Sequence, residues 1–350
     1  MFNRIGSFLV LVGLGACTES PVSPAHSTQP TLALSSANNC PANPDIVVSD
    51  NAGLQQAANT ARPGSTIAIR GTIVETGDVD VPTDGLTFTC ATPGSGLAAA
   101  PGVGINWLLV VRSRGVTVQG LALDAREALD GATLAVNDPD ENAVAGAFRF
   151  LDNQVSCGPG QCLFIVSARF GAGRIAFVAR NQFVASGAAT GPQIQNFQDV
   201  TLEGNTVLAN TPSGIGIMVN SGLHINAILN QVLGPWGTSV LYVDGVSEST
   251  AANNRLTGAS IYGMRLGDTG RVQIVNNQIA STGTAAVFVA GSCFDTFVQN
   301  SFLGTTGSTV FFAVDTGANL FVGASLGVVD TGNIDCDGDG IVDPNRILGV

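Results

Sequence analysis

A short asparagine-containing phrase that recurs about every 24 residues is the feature that most constrains this chain. Its copies place asparagines in series at Asn181, Asn205, Asn230, Asn254, Asn277 and Asn300. An apolar residue precedes each of the last five asparagines at a constant offset, at Ile194, Val219, Val243, Leu266 and Val289. Two independent features therefore share one period, which indicates a repeat architecture.

Such a period accommodates three short strands and three turns, which is one coil of a parallel β-helix. Asparagine suits such a turn because it tolerates a left-handed backbone and hydrogen-bonds locally. Coils stacked at the strand spacing of about 4.8 Å would align the asparagine amides in a ladder. Leucine-rich horseshoes have a similar period but need a leucine-rich consensus that is missing here, and propeller blades need repeats of about 40 residues.

The same pattern extends towards the N-terminus with wider gaps. Asn153 gives another rung and Leu121 takes the ladder position one coil earlier, so the gaps predict loop insertions. The amphipathic segment 50–61 predicts a helix that covers the open N-terminal end of the stack. The sequence therefore predicts an all-β fold over residues 40–330, a single-stranded right-handed parallel β-helix of about ten coils with a capping helix.

Typical coil phrases carry a family resemblance. Segment 199–207 reads Asp-Val-Thr-Leu-Glu-Gly-Asn-Thr-Val, and segment 115–121 has the same form. Through such phrases, residues 44–330 resemble the pectate-lyase-like β-helix superfamily. The resemblance implies that any site lies on the outward face of the first strand of successive coils, and that an enzymatic member would be a polysaccharide lyase or a glycoside hydrolase.

Alternation along that strand identifies its outward side chains. If Val219, Val243, Leu266 and Val289 point inward, the outward set is Met218, Asn220, Tyr242, Asp244, Arg265 and Phe288, with Asp268 in the adjoining turn. We expect Asn220, Tyr242, Asp244 and Arg265 to form a groove that suits sugar hydroxyls.

Asp244, Arg265 and Asp268 are the candidate catalytic residues of this groove. The superfamily's lyases use carboxylates for calcium and a basic residue for the proton next to a uronate, and its hydrolases need two or three close aspartates. This chain offers only two aspartates and one arginine for either reaction. The alternative is that these residues form a solvated polar face without an active site. His224 lies near the groove and could assist, or could be an inert surface residue.

Charge and missing residue types exclude several classes of function. The formal net charge of −12 repels phosphate backbones, so we expect no nucleic acid partner. All 14 basic residues are arginine and the only histidines are His26 and His224, which excludes lysine chemistry and histidine-rich zinc sites. A copper-loading β-helix like the nitrous oxide reductase maturation proteins fits the fold, but three methionines and so little histidine disfavour copper chemistry.

The N-terminus predicts export and lipid anchoring. Arg4 precedes an apolar stretch that has the length of a secretory signal and is too short to span a bilayer. The stretch ends in Leu-Gly-Ala before Cys17, which resembles the lipobox of bacterial lipoproteins and implies a lipid on Cys17. Residues 1–16 are then a signal peptide and 17–39 a Ser/Thr/Pro-rich tether. Thr18 favours the outer membrane, with the protein periplasmic or at the cell surface.

Six further cysteines in an exported chain indicate disulfides, although six cysteines allow fifteen pairings. Cys157 and Cys162 enclose a short loop, Gly-Pro-Gly-Gln, so they are the easiest pair to assign. By position, a Cys40–Cys90 disulfide would stabilise the start of the fold, and a Cys293–Cys336 disulfide would stabilise its end.

The Asp-rich segment within the tail 331–350 predicts a structural calcium site. Asp335, Asp337, Asp339 and Asp343 occupy loop positions 1, 3, 5 and 9, with Gly340 at position 6 and Ile341 at position 7. This pattern resembles the calcium loops of thrombospondin type 3 and dockerin repeats. Arg346 replaces the usual glutamate at position 12, which should weaken binding. A second acidic loop, 137–142, could also bind a cation or simply be solvated.

The sequence thus leads to an exported, lipid-anchored β-helix whose leading function is non-catalytic binding of glycans or envelope components along the solenoid face. A polysaccharide lyase or glycoside hydrolase acting at the groove of Tyr242, Asp244 and Arg265 is the alternative.

Overall fold

The computed structural model describes residues 40–137, 147–167, 173–281, 283–304, 307–323 and 327–349. This part of the chain is a right-handed parallel β-helix of about twelve turns. It contains one α-helix, Asn51–Thr60. No helix in the described residues is long and apolar enough to cross a membrane.

The strands form three parallel stacks, one on each side of the coil. Stack 1 contains Val79–Val81, Trp107–Val111, Gly131–Asn137, Gln161–Ser167, Thr190–Gln195, Ile217–Ile228, Ser239–Ser247, Tyr262–Gly267, Ala285–Ala290, Ser308–Phe312 and Val328–Asp330. Stack 2 contains Ile46–Val48, Thr66–Ile69, Thr87–Cys90, Thr117–Gln119, Phe148–Leu151, Gly173–Ala179, Phe197–Glu203, the second half of Ile217–Ile228, Thr250–Ala252, Gln273–Val275, Thr296–Val298, Leu320–Val322 and Arg346–Leu348. Stack 3 contains Thr72–Glu75, Gly96–Ala99, Ala122–Ala125, Gln154–Cys157, Gln182–Ala185, Thr206–Ala209, Gln231–Leu233, Arg255–Ala259, Gln278–Ser281 and Ser301–Leu303.

The predicted asparagine ladder runs unbroken from Asn153 to Asn300 between stacks 2 and 3. Each side-chain amide donates to the amide oxygen of the asparagine in the next coil at 2.9–3.1 Å. Its second proton goes to a backbone carbonyl of the preceding coil at 2.7–2.9 Å. The buried amides are therefore hydrogen-bonded on both sides, as burial requires.

The structure has more coils than the ten or so that the sequence predicted, because stacks 1 and 2 continue beyond Asn300, and Arg346–Leu348, within the predicted tail 331–350, pairs with Leu320–Val322. The first coils also lack the asparagine. Gly71 and Ser95 occupy the ladder position there, and the Ser95 hydroxyl accepts the Gly71 N–H at 3.1 Å. Leu121 follows, and its N–H donates to Asn153 at 3.0 Å. The period therefore lacks its marker residue at the N-terminal end.

The predicted capping helix contacts the first strand of each stack. Asp50 caps it, since its carboxylate accepts the Gly53 N–H at 2.8 Å. Leu54, Ala57 and Ala58 are buried. The helix thus covers the N-terminal end of the core.

Disulfide bonds join Cys40 to Cys90, Cys157 to Cys162, and Cys293 to Cys336. These are the pairs that the cysteine positions predicted. The third bond ties the Asp-rich segment to the solenoid, where that segment lies between the last strands of stacks 1 and 2.

A second ladder, which the sequence did not reveal, occupies the corner between stacks 1 and 2. Side chains at this corner accept the backbone N–H of the preceding coil: Ser249 from Ile225, Asp295 from Val272, Asn319 from Asp295, and Asn345 from Asn319, at 2.7–3.2 Å. One rung is a fully buried carboxyl group, Asp295. Burial raises the pKa of Asp295 to about 6, although hydrogen bonds from Thr269 and Val272 oppose the rise.

Candidate functional site

The outward side chains of stack 1 form a straight row, because the register between coils is unbroken from Leu134 to Val329. Their inward neighbours Val219, Val243, Leu266 and Val289 are at most 7% exposed, as alternation predicted. We call the outward row the outer column, and it comprises Leu134, Phe164, Gln193, Met218, Tyr242, Arg265, Phe288, Phe311 and Val329. Apart from one glutamine and one arginine it is apolar or aromatic, which makes it a candidate contact surface.

The structure brings the predicted groove residues together on adjacent coils. Tyr242 is paired with Arg265 across the strands, and Asn220 is paired with Asp244. The Arg265 guanidinium carbon lies 5.0 Å from the centroid of the Tyr242 ring, which is a cation–π contact. Asp268 follows in the turn, with a left-handed φ of 47°.

Two glycines make room for the carboxylates of this group. Gly267 is paired with Asp244, and a Cβ at residue 267 would collide with the Asp244 carboxylate. A Cβ at residue 291 would likewise collide with the Asp268 carboxylate. A side chain at either glycine would therefore displace the carboxylate beside it.

Partial burial, and then the charge of Asp268, raise the pKa of Asp244 above its ordinary value. Arg265 and a hydrogen bond with Tyr242 act in the opposite direction but do not cancel the rise. Asp244 and Asp268 are therefore close enough to repel each other.

Arg265 is not explained by the stability of the fold. Its Nε is buried and has no hydrogen-bond acceptor among the described residues. An unsatisfied buried donor costs on the order of 1–3 kcal/mol. A residue kept at such a cost, beside Tyr242 on an outward face, is a candidate for a functional role.

Aromatic rings extend the groove beyond the residues that the sequence identified. The ring of Phe288 stacks on Tyr262 at 4.8 Å and on Phe311 at 5.6 Å between centroids. Only Phe288 was recognised from the sequence as outward. Phe311 follows Phe288 by one period of the repeat, and this spacing could have revealed it.

A charged corner lies next to the groove, where stack 1 turns into stack 2. His224 Nδ1 is 3.0 Å from Asp199, and its Nε2 is 3.3 Å from Glu248. Glu248 also lies 3.9 Å from Arg271. Hydrogen bonds with Asp199 and Glu248 raise the pKa of His224. Both ring nitrogens of His224 therefore already face carboxylates, so it has no free nitrogen for a substrate in this arrangement.

Ionisable groups lie both in the groove and in the corner beside it. The groove itself holds the carboxylates of Asp244 and Asp268 and the guanidinium of Arg265, and the charged corner beside it adds Asp199, Glu248 and Arg271.

The Asp-rich segment gathers only part of the predicted calcium ligands. Asp335, Asp337 and Asp343 bring carboxylate oxygens within 4.8 Å of one another, whereas Asp339 is outside this group and its Oδ1 accepts the Ile341 N–H at 2.8 Å.

Backbone hydrogen bonds shape the segment. The N–H groups of Gly340 and Gly338 donate to Asp335 at 2.7 Å and lower its pKa. A hydrogen bond from the Asp339 N–H also lowers the pKa of Asp337. Lost hydration and the charges of the neighbouring aspartates outweigh it, so the pKa of Asp337 is raised overall. Cys17 and the acidic residues at 138–142 lie outside the described residues.

Comparisons with known proteins agree with the fold. A family model described as periplasmic copper-binding protein (NosD) matches residues 172–321, which is less than half of the chain. No curated protein sequence matches the chain.

Three solved structures are similar in shape. The mannuronan C-5 epimerase AlgE6 A-module of Azotobacter vinelandii has a TM-score of 0.52 at 11% identity, covering 85% of this chain and 94% of its own. The enzymatically active domain of bacteriophage CBA120 tailspike protein 2 has a TM-score of 0.55 at 9% identity, covering 86% and 51%. The Dettilon tailspike protein has a TM-score of 0.52 at 11% identity, covering 85% and 64%. This chain spans about half to two thirds of the tailspike chains. The likeness establishes the fold.

The residues of the matched region do not fit a copper site. Copper favours imidazole and sulfur ligands. Within the described part of 172–321, Met264 is fully buried, Cys293 is in a disulfide, and His224 is hydrogen-bonded to carboxylates through both nitrogens. Met218 is half-buried in the outer column, where its neighbours Gln193 and Tyr242 supply no second imidazole or sulfur. No copper chemistry follows from these donors.

Proposed function

We propose that this protein is an exported, lipid-anchored glycan-binding protein that holds a polysaccharide along its outer column without cleaving it. The observation that carries the proposal is the alignment of Tyr242, Arg265, Phe288 and Phe311 on consecutive coils, beside the polar groups of Asn220 and Asp244. A solenoid presents an extended binding surface, and an extended polymer matches it.

The chemistry of the row is that of sugar recognition. Aromatic faces pack against the C–H faces of sugar rings, while the amide of Asn220 and the carboxylate of Asp244 can hydrogen-bond hydroxyl groups. Similar folds are found in a mannuronan epimerase and in phage tailspikes. A shared fold alone does not assign function, so this likeness supports the proposal only as an analogy.

A polysaccharide lyase or glycoside hydrolase is the second candidate. It is favoured by the contact of Arg265 with Tyr242 and by the raised pKa of Asp244, because perturbed groups gather at active sites. Release of unsaturated uronates would indicate a lyase, and release of reducing ends a hydrolase.

Binding to a glycan array, followed by assays for both products, tests the proposal. Tyr242→Ala and Phe288→Ala should each weaken binding about tenfold, the loss of roughly 1.4 kcal/mol of stacking. Phe177→Ala is the matched control, because Phe177 is an outward aromatic ring under an arginine, Arg149, at 5.7 Å on stack 2. Binding with turnover would favour the enzyme, and a Phe177 effect equal to that of Tyr242 would remove the outer column from the site.

The location and the metal are parts of the same proposal. Three disulfides and a match to a family described as periplasmic support an extracytoplasmic location. The predicted lipid on Cys17 would hold the protein at the outer membrane. Calcium bound by Asp335, Asp337 and Asp343 would brace the last coil.

A further inference from the structure

The charges that flank the outer column restrict the kind of polysaccharide that it can hold. Four carboxylates lie in the groove and its corner: Asp199, Asp244, Glu248 and Asp268. Against them stand two guanidinium groups, of Arg265 and Arg271. The site is therefore net negative on a protein whose formal net charge is −12.

The cations of the site lie beside its own carboxylates and aromatic rings. Arg265 packs over the Tyr242 ring and opposes the rise of the Asp244 pKa. Arg271 faces Glu248 at 3.9 Å and lies over the Phe294 ring at 5.7 Å. His224 is held between two carboxylates. The two guanidinium groups therefore face more carboxylates within the site than they can neutralise.

The two groove carboxylates would instead repel a sugar acid. The Asp244 carboxylate lies beside Gly267 and the Asp268 carboxylate beside Gly291, and the two charges repel each other. A third carboxylate between them would add to a repulsion that they already exert on each other. Hydroxyl groups have the opposite effect, because an ionised carboxylate only accepts hydrogen bonds and a sugar hydroxyl donates them.

The remainder of the column carries no charge. Phe288 and Phe311 continue it on one side of Arg265, and Met218 and Gln193 on the other. Such side chains suit the C–H faces and hydroxyls of neutral sugars.

We infer that the outer column takes a neutral polysaccharide, whose hydroxyls donate to Asp244 and Asp268 and whose ring faces pack on Tyr242 and Phe288, and that it rejects uronate polymers. The inference rests on the proposed glycan binding. It makes lyase chemistry unavailable to the site, because that reaction needs a uronate.

The test compares each polymer with its own charged or uncharged form. The mature protein is titrated calorimetrically with β-1,3-glucan, β-1,4-galactan, β-mannan, polygalacturonate and alginate. Neutral polymers are also oxidised at C6 to uronates, and uronate polymers are reduced to neutral sugars, so that linkage stays constant within each pair. The neutral form should bind at least about tenfold more tightly, which corresponds to 1.4 kcal/mol, and the gap should narrow as salt rises.

The variant Asp244→Asn/Asp268→Asn should lose most of the difference in affinity between the neutral and the uronate form of each polymer. Asp124→Asn/Asp152→Asn is the matched control, because it removes the same charge from surface ion pairs with Arg126 and Arg180 on other faces. Equal or tighter binding of the uronate form, or equal loss of discrimination in the control, overturns the inference and leaves glycan binding intact. Failure of every polymer to bind overturns the proposed function itself.

Discussion

The side-chain amide of Asn230 donates to the amide oxygen of Asn254 at 3.0 Å, and its own oxygen accepts the amide of Asn205 at the same distance. Asn230 is 1% exposed, so water cannot replace these bonds. The ladder is therefore a chain in which each rung satisfies two others.

The first prediction removes one rung. Asn230→Leu should lower the free energy of unfolding by about 1–3 kcal/mol, because it leaves buried partners on Asn205 and Asn254 unsatisfied. Asn226→Leu is the control, since Asn226 points outward from Ile217–Ile228, the strand that precedes Asn230. Chemical denaturation measures both, and equal stability of Asn230→Leu and wild type would contradict the ladder's role.

The second prediction concerns Glu75, an inward and fully buried side chain whose two carboxyl oxygens have no hydrogen-bond partner. Neither the capping helix nor the paired strand Gly96–Ala99 carries a charged residue that could stabilise it. Burial therefore raises the pKa of Glu75 to about 7 from 4.5.

The sign of the pH effect follows from that shift. Between pH 4.5 and about 7 the unfolded chain ionises Glu75 while the folded chain keeps its proton, so stability falls as pH rises through this range. Glu75→Gln should flatten the fall and raise the melting temperature at pH 7.5. Glu127→Gln, at an exposed position, is the control. Thermal unfolding measured from pH 4 to 8 tests this prediction. If the melting temperatures of Glu75→Gln and wild type changed with pH in parallel, the raised pKa of Glu75 would be refuted.

The third prediction concerns Asp295 in the second ladder. One coil later Asn319 occupies the same position and donates to the Ser292 carbonyl at 3.0 Å. An asparagine at 295 should make the equivalent bond without the cost of a buried charge.

The pKa of Asp295 is raised to about 6 in the folded chain, whereas the unfolded chain ionises this group near pH 4. The free energy of unfolding therefore falls as pH rises from about 4 to 6. Asp295→Asn should therefore raise the melting temperature at pH 7.5 more than at pH 4. Asp315→Asn, at an exposed position, serves as the control. A destabilised Asp295→Asn at neutral pH would show that the carboxylate itself is required.

Much of the fold could be predicted because its determinants repeat. The asparagines share one period, and alternation around Val219 and Val243 correctly separated inward from outward side chains. Such patterns depend only on the neighbours of each residue along the chain and on its copy one coil away.

The rest depends on contacts without a repeating residue type. The second ladder uses serine, aspartate and asparagine in turn, so no single letter marks it. The inward position of Glu75 contradicts its polarity, and the space that Gly267 leaves for Asp244 is visible only in three dimensions. Phe311 lies beyond Asn300, the last asparagine of the ladder, where the repeat has no marker residue.

The fourth prediction tests the anchor. Cys17→Ser removes the thiol that is predicted to accept the lipid, so the protein should move from the membrane fraction to the soluble fraction of cells. Thr18→Ser, next to it, should leave partitioning unchanged. If Cys17→Ser still sediments with membranes, the lipobox interpretation fails.

The last prediction concerns calcium at Asp335, Asp337 and Asp343. Their carboxylates lie within 4.8 Å of one another, and repulsion from the neighbouring aspartates helps to raise the pKa of Asp337. A bound cation would neutralise that repulsion, and an ion that binds only the folded loop raises the melting temperature once its concentration exceeds the dissociation constant.

Calcium should therefore raise the melting temperature of the mature protein, and magnesium should do so weakly, because it gives up its waters reluctantly. Asp337→Ala should abolish the calcium response, while Asp315→Ala, which removes the same charge outside the loop, should keep it. The disulfide between Cys293 and Cys336 holds the loop against the solenoid, so ordering of the loop should be transmitted to the last coils. Coincident melting curves with calcium, with magnesium and with chelator would show that the Asp-rich segment holds no metal.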